Sequence, residues 1–212
     1  RNFRNNFNPV RKDAEALRQK HKGEINETDL DKFTKEETRN LEREFGSAFT
    51  FSENGQFRGL NEQFFSELYR RHHRILFEPG ENKFYQYEAE SGLWRNLTND
   101  GLIEEISEFS RSFIHVEHFF EALNKLDHTF CSKVMKLLKG KTEKSGAFRQ
   151  KHEGYRIHCA NCVLEFDFAA MDWVSRPFAP EDYSRNRTEI PYLEGAQAPR
   201  FLTELIQPAM NE

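Results

Sequence analysis

The sequence predicts an α+β fold in which β-hairpins pack with a helical pair and a closing helix follows at the C-terminal end. Two patterns indicate this class. Short alternating runs bounded by turn residues are typical of strands, and longer runs with apolar side chains every three or four residues are typical of amphipathic helices. The sequence shows no internal repeat.

Composition predicts a packed domain with polar flanks. The chain has 212 residues, of which 37% are hydrophobic and 31% charged, but its 21 phenylalanines supply bulky material for a core. Residues 1–56 are interpreted as a polar linker or peripheral helices, because apolar residues are sparse there. Residues 57–212 are interpreted as the packed domain. Since the first residue is not methionine, we expect a piece of a longer polypeptide.

The packed domain is predicted to begin with a helix and a strand. Asn61 is a suitable N-cap, and residues 64–69 place four apolar side chains at helical spacing. Residues 75–77 are expected to form a short strand, because the turn-forming pair at residues 79–80 follows directly.

A β-hairpin is expected next. Residues 83–87 and 93–97 both read as strands, and the first alternates aromatic with polar side chains. Gly92 lies in the connection between them, where a hairpin needs a residue that tolerates positive φ.

Two helices are expected to follow the hairpin. Thr98 offers a cap oxygen for a helix with five apolar side chains on one face between Leu102 and Phe113. A second helical pattern runs from Val116 to Leu138 and stops at Gly140. The two are expected to pack as a pair against the hairpins.

The last third returns to strands. Residues 156–160 and 163–168 read as two strands, and residues 173–174 follow them after a turn. A loop from residue 178 to residue 192 comes next. Pro199 is then placed in the first turn of the predicted closing helix.

Charge gives no global sign of a nucleic-acid binder, because the net charge is −4. Its distribution is uneven, however. Nine lysines and arginines stand against three acidic residues between Lys125 and Arg156, and four arginines against nine acidic residues between Ile157 and Glu212. The basic middle and the acidic tail either face different partners or form ordinary solvated surface.

Two basic clusters are candidates for DNA contact. The first ends the helix that begins after Asn61, where capping of the helix dipole is the alternative interpretation. The second lies along the helix before Gly140, where a solvated helix face is the alternative. The candidate residues are Arg70, Arg71, Arg74, Lys133, Lys136, Lys139 and Lys141.

Residues 140–142 resemble the end of a phosphate-binding loop. The complete motif needs a glycine five residues earlier, where this chain has Met135, and it needs a preceding strand rather than a helix. Without them the backbone cannot surround a phosphate with N–H groups. We interpret Gly140 as a helix-ending glycine.

Cys159 and Cys162 form a C-x-x-C motif with His158 beside it. A structural zinc site needs four ligands, and only Cys131 and scattered histidines remain to complete one. If one strand ran straight through the motif, the two thiols would point to opposite faces. We expect buried or half-buried free cysteines, since an odd count of three in this chain indicates no disulfide framework and fits a reducing cytoplasm.

The sequence shows no carboxylate paired with a histidine in a way that would indicate general acid–base chemistry. Glu165 and Asp167 lie on one strand face, so a metal-dependent nuclease or nucleotidyl-transfer enzyme using them is the alternative function, and a solvated strand face is the plain interpretation. No apolar run of membrane-spanning length and no signal peptide are found. We therefore expect no membrane partner.

Two segments resemble the domain that precedes the helicase in poxvirus-type and phage or plasmid primase-helicases. Residues 84–94 are similar to its F-x-x-Y…G-x-W hairpin. Residues 161–192 are similar to its N-G-v-l-d-l…p-x-d…i-x-Y run, and residues 192–202 to its Y-x-x-x-A-x-x-P-x-F-l signature, which leads into the superfamily 3 helicase module. The matching motif residues are Trp94, Asn161, Tyr192, Ala196, Pro199 and Phe201.

The chain departs from the family pattern at two places. The family has a glycine after the asparagine, and this chain has Cys162. If that glycine serves positive φ, either the turn differs here or Asn161 or Cys162 carries the strain. Residues 168–170 stand where the family often has a Thr-Gly turn.

The resemblance covers about residues 57–212 and implies a non-catalytic accessory domain that helps ring assembly or DNA engagement in DNA replication. It further implies a primase module upstream, a helicase module downstream, a homo-hexameric whole protein, and a bacterial cell or virus-infected host. ATP and Mg²⁺ are expected for the downstream module, and no cofactor for this chain. A protein-interaction domain outside replication is a third hypothesis.

Overall fold

The computed structural model describes residues 33–149 and 154–195. Each described α-helix begins after a polar residue whose side chain caps the first turn. Thr34, Asn61, Thr98 and Asp127 accept hydrogen bonds from N–H groups that have no partner inside the helix. The helices are α1 (Lys35–Phe45), α2 (Glu62–His72), α3 (Asn99–Val116) and α4 (His128–Lys141). The predicted caps Asn61 and Thr98 are confirmed.

The described strands form three small sheets, which confirms the α+β class. Their orders are β1-β2, β3-β4-β5 and β6-β7-β8. The strands are β1 (Phe49–Phe51), β2 (Phe57–Leu60), β3 (Ile75–Glu78), β4 (Lys83–Glu88), β5 (Leu93–Leu97), β6 (Arg156–His158), β7 (Val163–Asp167) and β8 (Asp172–Arg176). Short 3₁₀ helices span Phe120–Lys125, Ala147–Arg149 and Pro180–Asp182. The predicted closing helix after Pro199 lies outside the described residues.

The described residues divide into two compact units. The first unit contains residues 33–87 and 95–147, and therefore the four α-helices. The second unit contains residues 88–94, 148–149 and 154–195, and therefore the sheet β6-β7-β8.

Phenylalanines fill the centre of the first unit. Phe113 of α3 is fully buried, and its ring lies 5.4 Å from those of Phe33 and Phe64 and 5.5 Å from that of Phe65. Phe65 in turn meets Phe130 of α4 edge to face at 5.4 Å. Edge-to-face pairs at these distances add to the free energy of burial. The phenylalanine-rich composition is thus used to join α2, α3 and α4.

The core begins earlier in the chain than the sparse apolar residues of segment 1–56 suggested. Leu41 of α1 is fully buried, and Phe33 and Ala48 are nearly so. His72 Nε2 lies 3.1 Å from Glu37 Oε2, which ties α1 to the end of α2. Three well-placed apolar side chains are enough to dock a short helix whose other residues are polar.

The predicted second helix is interrupted. The pattern from Val116 to Leu138 indicated one continuous helix, but His118 has a φ of 54°, and a 3₁₀ helix replaces the α-helix until Asp127 caps α4. Positive φ is incompatible with a continuing right-handed helix. The apolar residues keep helical spacing across the break because both segments face the same core.

Glu78, at the end of β3, binds the chain that leaves α4. Its buried carboxylate accepts hydrogen bonds from the N–H groups of Gly80, Gly146 and Ala147 at 2.9 to 3.1 Å. Burial alone would raise the pKa of Glu78, but the three N–H donors stabilise the charged form and bring the pKa below its ordinary value. A buried charge is thereby paired, as stability requires.

The sheet of the second unit has two unlike faces, because residues opposite each other in an antiparallel pair share a face. Arg156, Glu165 and Val174 are in register on one face, and on the other Ile157 is in register with Leu164, and Phe166 with Trp173. The first face is polar and adjoins Asp182, and the second is aromatic.

Candidate functional site

The predicted DNA-binding cations lie on α2 and α4, which pack side by side, except for Arg74, which follows the end of α2. Lys133 Nζ lies 3.1 Å from Glu62 at the start of α2, and Lys141 Nζ lies 2.9 Å from Ser66 Oγ farther along it. Both contacts join α4 to α2. We call Arg70, Arg71, Arg74, Lys133, Lys136, Lys139 and Lys141 the basic seam.

Glu67 neutralises a large part of the basic seam. Its buried carboxylate receives two hydrogen bonds from Arg70, at 2.5 and 3.1 Å, and lies 3.4 Å from Arg71 and 3.5 Å from Lys141. The guanidinium of Arg70, with help from Lys141 and Arg71, lowers the pKa of Glu67 from 4.5 to about 2, although burial opposes the shift. Three candidate residues thus share one buried anion.

Two of the remaining four cations, Lys133 and Lys139, are also engaged. Besides Glu67, Arg71 reaches Glu44 at 3.0 Å. Lys139 donates a hydrogen bond to Asn82 Oδ1 at 3.0 Å, and its Nζ lies 4.4 Å from the centre of the Phe77 ring. Lys133 is held by Glu62. These contacts are the ordinary use of cations on a protein surface.

Arg74 and Lys136 are the exceptions in the basic seam. Both are exposed, and neither side chain has a hydrogen-bond or ion-pair partner among the described residues. From the sequence, all seven cations were equally good candidates for DNA contact. The sequence does not show which of them reach a carboxylate in the folded protein. The structure reduces the freely available charge to these two residues.

Lys141 and Thr142 complete the helix rather than a phosphate loop. The helix α4 continues through Gly140 to Lys141, and Thr142 follows as its C-cap, with its Oγ1 donating to the Leu138 carbonyl at 2.8 Å. Lys141 is engaged by Ser66 and Glu67. The helix ends one residue later than the sequence predicted.

The candidate catalytic carboxylates are held by other side chains. Glu165 accepts hydrogen bonds from Arg176 Nε at 2.9 Å and from Arg156 Nη2 at 3.1 Å, and these guanidiniums lower the pKa of Glu165. Asp167 accepts from the N–H groups of Ala169 and Ala170 and so shapes the turn before β8. Among residues 33–149 and 154–195, no three His, Cys, Asp or Glu side chains form a metal-binding group.

Asp182 completes the polar face of this sheet. It is buried, and Arg176 approaches it at 2.6 and 3.0 Å while Arg156 approaches it at 2.9 Å. The two arginines bridge Glu165 and Asp182, so β6, β7 and the Pro180–Asp182 helix are joined by charge-assisted hydrogen bonds. This arrangement holds a loop in place.

The family-motif residues within the described chain also hold loops. The Trp94 indole Nε1 donates to the Pro180 carbonyl at 2.8 Å, and its backbone N donates to the Ser184 carbonyl at the same distance. Asn161 donates to the Tyr192 carbonyl at 2.9 Å and accepts from the Tyr192 N–H at 2.8 Å. The motif residues Ala196, Pro199 and Phe201 lie outside the described residues.

These contacts join residues that lie far apart in the sequence. The Asn161 side chain hydrogen-bonds to the backbone of Tyr192, 31 positions later, and the Trp94 side chain to that of Pro180, 86 positions later. Both fix the irregular segment that follows β8 to the rest of the second unit. Their shared role is structural, and neither side chain is poised for chemistry.

Cys159 and Cys162 lie across a tight turn between β6 and β7. The Cys159 N–H donates to the Cys162 carbonyl at 2.9 Å, so the two residues continue the register of the hairpin. They therefore share a face, which corrects the expectation for a straight strand. Cys159 is buried and Cys162 half-buried, as predicted, and neither Asn161 nor Cys162 has positive φ.

Sequence reasoning missed the exposed aromatic face of the second unit. Phe168 is 57% and Tyr155 67% exposed, and Trp173 remains 37% exposed. The half-buried Phe166 lies between them, with its ring 5.1 Å from that of Phe168 and 5.4 Å from that of Trp173. Alternation along residues 163–168 was the available signal, since it places 164, 166 and 168 on one side.

Comparison with known proteins adds no family to this picture. No protein-family model, no curated protein and no solved structure matches the chain. The resemblance to primase-helicases therefore rests on its motif residues. Among the described helices, none combines the length and the apolar character needed to cross a membrane.

Proposed function

We propose that the chain is a non-catalytic accessory domain of a phage-, plasmid- or virus-type DNA primase-helicase, and that it helps to assemble the ring. The observation that carries this proposal is the aromatic face: Tyr155, Phe166, Phe168 and Trp173 form a continuous ring cluster open to solvent. Contiguous exposed apolar patches mark interaction sites on soluble domains. Aromatic residues are enriched in such interfaces.

The occupant of this face is a neighbouring copy of the same protein. The resemblance implies a homo-hexamer, in which each subunit presents equivalent surfaces to its neighbours. Acidic residues at the adjoining turn, Asp167 and Asp172, disfavour the phosphate backbone of DNA as the occupant. The loop contacts of Trp94, Asn161 and Asp182 support this role, because they make the sheet a rigid platform.

Sedimentation velocity of the purified chain tests the assembly function. We expect reversible self-association between about 1 and 300 μM, which corresponds to the weak interface of one isolated module. Replacing both Phe168 and Trp173 by serine removes the anchors and should leave a monomer. Val174→Ser is the matched control, since Val174 is 49% exposed on the same sheet but on its other face.

Two results would count against ring assembly through this face. One is a wild-type chain that stays monomeric over the whole range. The other is equal self-association of the wild type and the Phe168/Trp173 variant, which would move the contact elsewhere. Tryptophan fluorescence of Trp94 and circular dichroism check that each variant is folded.

DNA engagement is the second candidate function, and the unpartnered Arg74 and Lys136 favour it. A fluorescently labelled single-stranded oligonucleotide should lose affinity for the Arg74→Glu and Lys136→Glu variants. Lys133→Glu is the control, because Lys133 is already paired with Glu62. Absence of binding even at low salt would remove this candidate and leave ring assembly as the function.

A further inference from the structure

We propose that Cys159 and Cys162 form a reversible disulfide with small-molecule disulfides as the oxidant, and that this bond locks the turn that holds Tyr192. This modification site goes beyond the assembly function. It is carried by the position of the two cysteines in the β6–β7 hairpin.

The backbone places Cys159 and Cys162 opposite each other in the hairpin. The pair His158 and Val163 closes the strand register, and the next pair outward is Cys159 and Cys162, joined by an N–H to carbonyl hydrogen bond of 2.9 Å. Hydrogen-bonded antiparallel partners have Cα atoms about 5.5 Å apart. Disulfides span Cα separations of roughly 4.4 to 6.8 Å, so the backbone spacing of such a pair is compatible with the bond.

The surroundings assign different roles to the two thiols. Cys159 is 5% exposed, whereas Cys162 is half-buried and reachable by a small molecule. Burial, and then the adjacent Cys162, raise the pKa of Cys159, which disfavours its thiolate. Cys162 is therefore the attacking cysteine and Cys159 the resolving one.

The reaction balances with one disulfide as oxidant. The Cys162 thiolate attacks one sulfur of the small disulfide, a mixed disulfide forms and the first small thiol leaves. Cys159 then loses its proton to solvent and attacks the Cys162 sulfur, and the second small thiol leaves. Two protein thiols are oxidised, and one small disulfide is reduced to two thiols.

The bond has a structural consequence through Asn161. This residue lies between the two cysteines, and its side chain both donates to and accepts from the backbone of Tyr192. A cross-link on either side of Asn161 restricts the turn and holds this side chain in its bonding position. Oxidation would thereby strengthen the attachment of the segment around Tyr192.

Mass spectrometry of the whole chain after incubation with oxidised glutathione tests the chemistry. We expect the wild type to lose two hydrogen atoms and peptide mapping to show a Cys159–Cys162 link, with Cys131 free because it is buried in the first unit. Dithiothreitol should restore the original mass. Three free thiols, or a stable glutathione adduct on Cys162, would overturn the proposal.

Single variants test the order of attack. Cys159→Ser and Cys159→Ala should each trap the glutathione adduct on Cys162, and Cys162→Ser should remain unmodified at Cys159. Cys131→Ser should behave as the wild type does. An adduct on Cys159 in the Cys162→Ser protein would refute the assigned roles, and fluorescence of the two tryptophans verifies folding.

Hydrogen exchange tests the consequence. The Tyr192 backbone N–H donates a hydrogen bond to Asn161 Oδ1. It should exchange several-fold more slowly in the oxidised chain than in the reduced chain. The Cys131→Ser protein should show the same change, and the Cys162→Ser protein none. Equal exchange rates in the oxidised and reduced wild type would refute the locking role. None of these measurements depends on self-association or DNA binding, so their failure is distinguishable from failure of the proposed function.

Discussion

Glu67 shows how a single side chain decides what a surface can bind. It lies on the buried side of α2, where an unpaired carboxylate would be costly. Arg70, Arg71 and Lys141 surround it and so become part of the fold. Charges used in this way are not available to a polyanion without leaving Glu67 unpaired.

The pKa of Glu67 predicts an acid-sensitive contribution to stability. Because the folded pKa of about 2 is below the ordinary 4.5, the stabilisation is present above about pH 4.5 and is lost as pH falls towards 2. Allowing for screening at the 45% exposed Arg70, we expect it to be on the order of 2 kcal/mol. Urea unfolding followed by helical circular dichroism at several pH values measures it.

Glu67→Gln is the matched variant for this measurement. It should be less stable than the wild type at pH 6, and the difference should shrink between pH 4.5 and 2.5. A difference that is constant with pH would mean that packing, rather than ionisation, is the source of the effect.

Among the described glycines, Gly92 is the one at which an added Cβ would meet the closest atoms. Its φ is +69°, and an added Cβ would lie 2.4 Å from Phe178 Cγ and 2.8 Å from His158 Nε2. Gly92→Ala combines left-handed strain with overpacking and should destabilise the second unit by about 2 to 4 kcal/mol. Tryptophan fluorescence during denaturation reports this, because Trp94 and Trp173, the two tryptophans, both lie in the second unit.

Gly195 offers a control for the clash at Gly92. Its φ is +72°, but nothing lies within 4 Å of an added Cβ. Gly195→Ala should therefore cost only the backbone strain, about 1 to 2 kcal/mol at most. Equal losses for the two variants would show that the Phe178 and His158 contacts do not matter.

At the scale of elements, Asn61 joins α1, β1 and α2. Its Oδ1 caps α2 by accepting from the N–H groups of Gln63 and Phe64, and its Nδ2 donates to the carbonyls of Phe45 and Ser47. All of its side-chain polar atoms are thus used. A conventional cap signal in the sequence therefore marks a junction among three elements.

Asn61→Ala should destabilise the first unit by roughly 2 to 3 kcal/mol, since it removes a cap and two hydrogen bonds. Thr98→Ala is the comparison, because Thr98 caps α3 only through the Gly101 N–H and its loss should cost about 1 kcal/mol. Chemical denaturation followed by helical circular dichroism separates the two. Equal effects would mean that the bonds to Phe45 and Ser47 contribute nothing.

At the scale of the whole molecule, charge limits how DNA could be bound. The net charge is −4, and Arg74 and Lys136 are the basic-seam cations without a partner among the described residues. If these two contact a single strand, the slope of log K against log salt should be roughly −1.4. A slope near −5 would mean that all seven cations contact the strand. Titration of the labelled oligonucleotide at several salt concentrations distinguishes the two outcomes.

Local signals in the sequence located most of the elements correctly. These signals depend on neighbours in the chain and can therefore be recognised in the sequence. They include the caps at Asn61 and Thr98, the turn at Gly92 and the alternation of residues 163–168. The break at His118 could not be recognised, because the apolar spacing continues across it. The docking of α1 through Leu41 was also missed, because a short helix can pack on an existing surface through only a few buried residues. So few apolar residues do not form a clear pattern in the sequence.

Patterns in the amino-acid sequence predicted the α+β class, the helix starts, the free cysteines and the positions of the basic residues. The packing of the elements sets which cations meet Glu67, which backbone Asn161 and Trp94 hold, and that the aromatic face is exposed. The physical reason is distance along the chain. Periodicity and capping act within a few residues, whereas an ion pair such as Lys133 with Glu62 joins positions 71 apart and exists only when the helices pack.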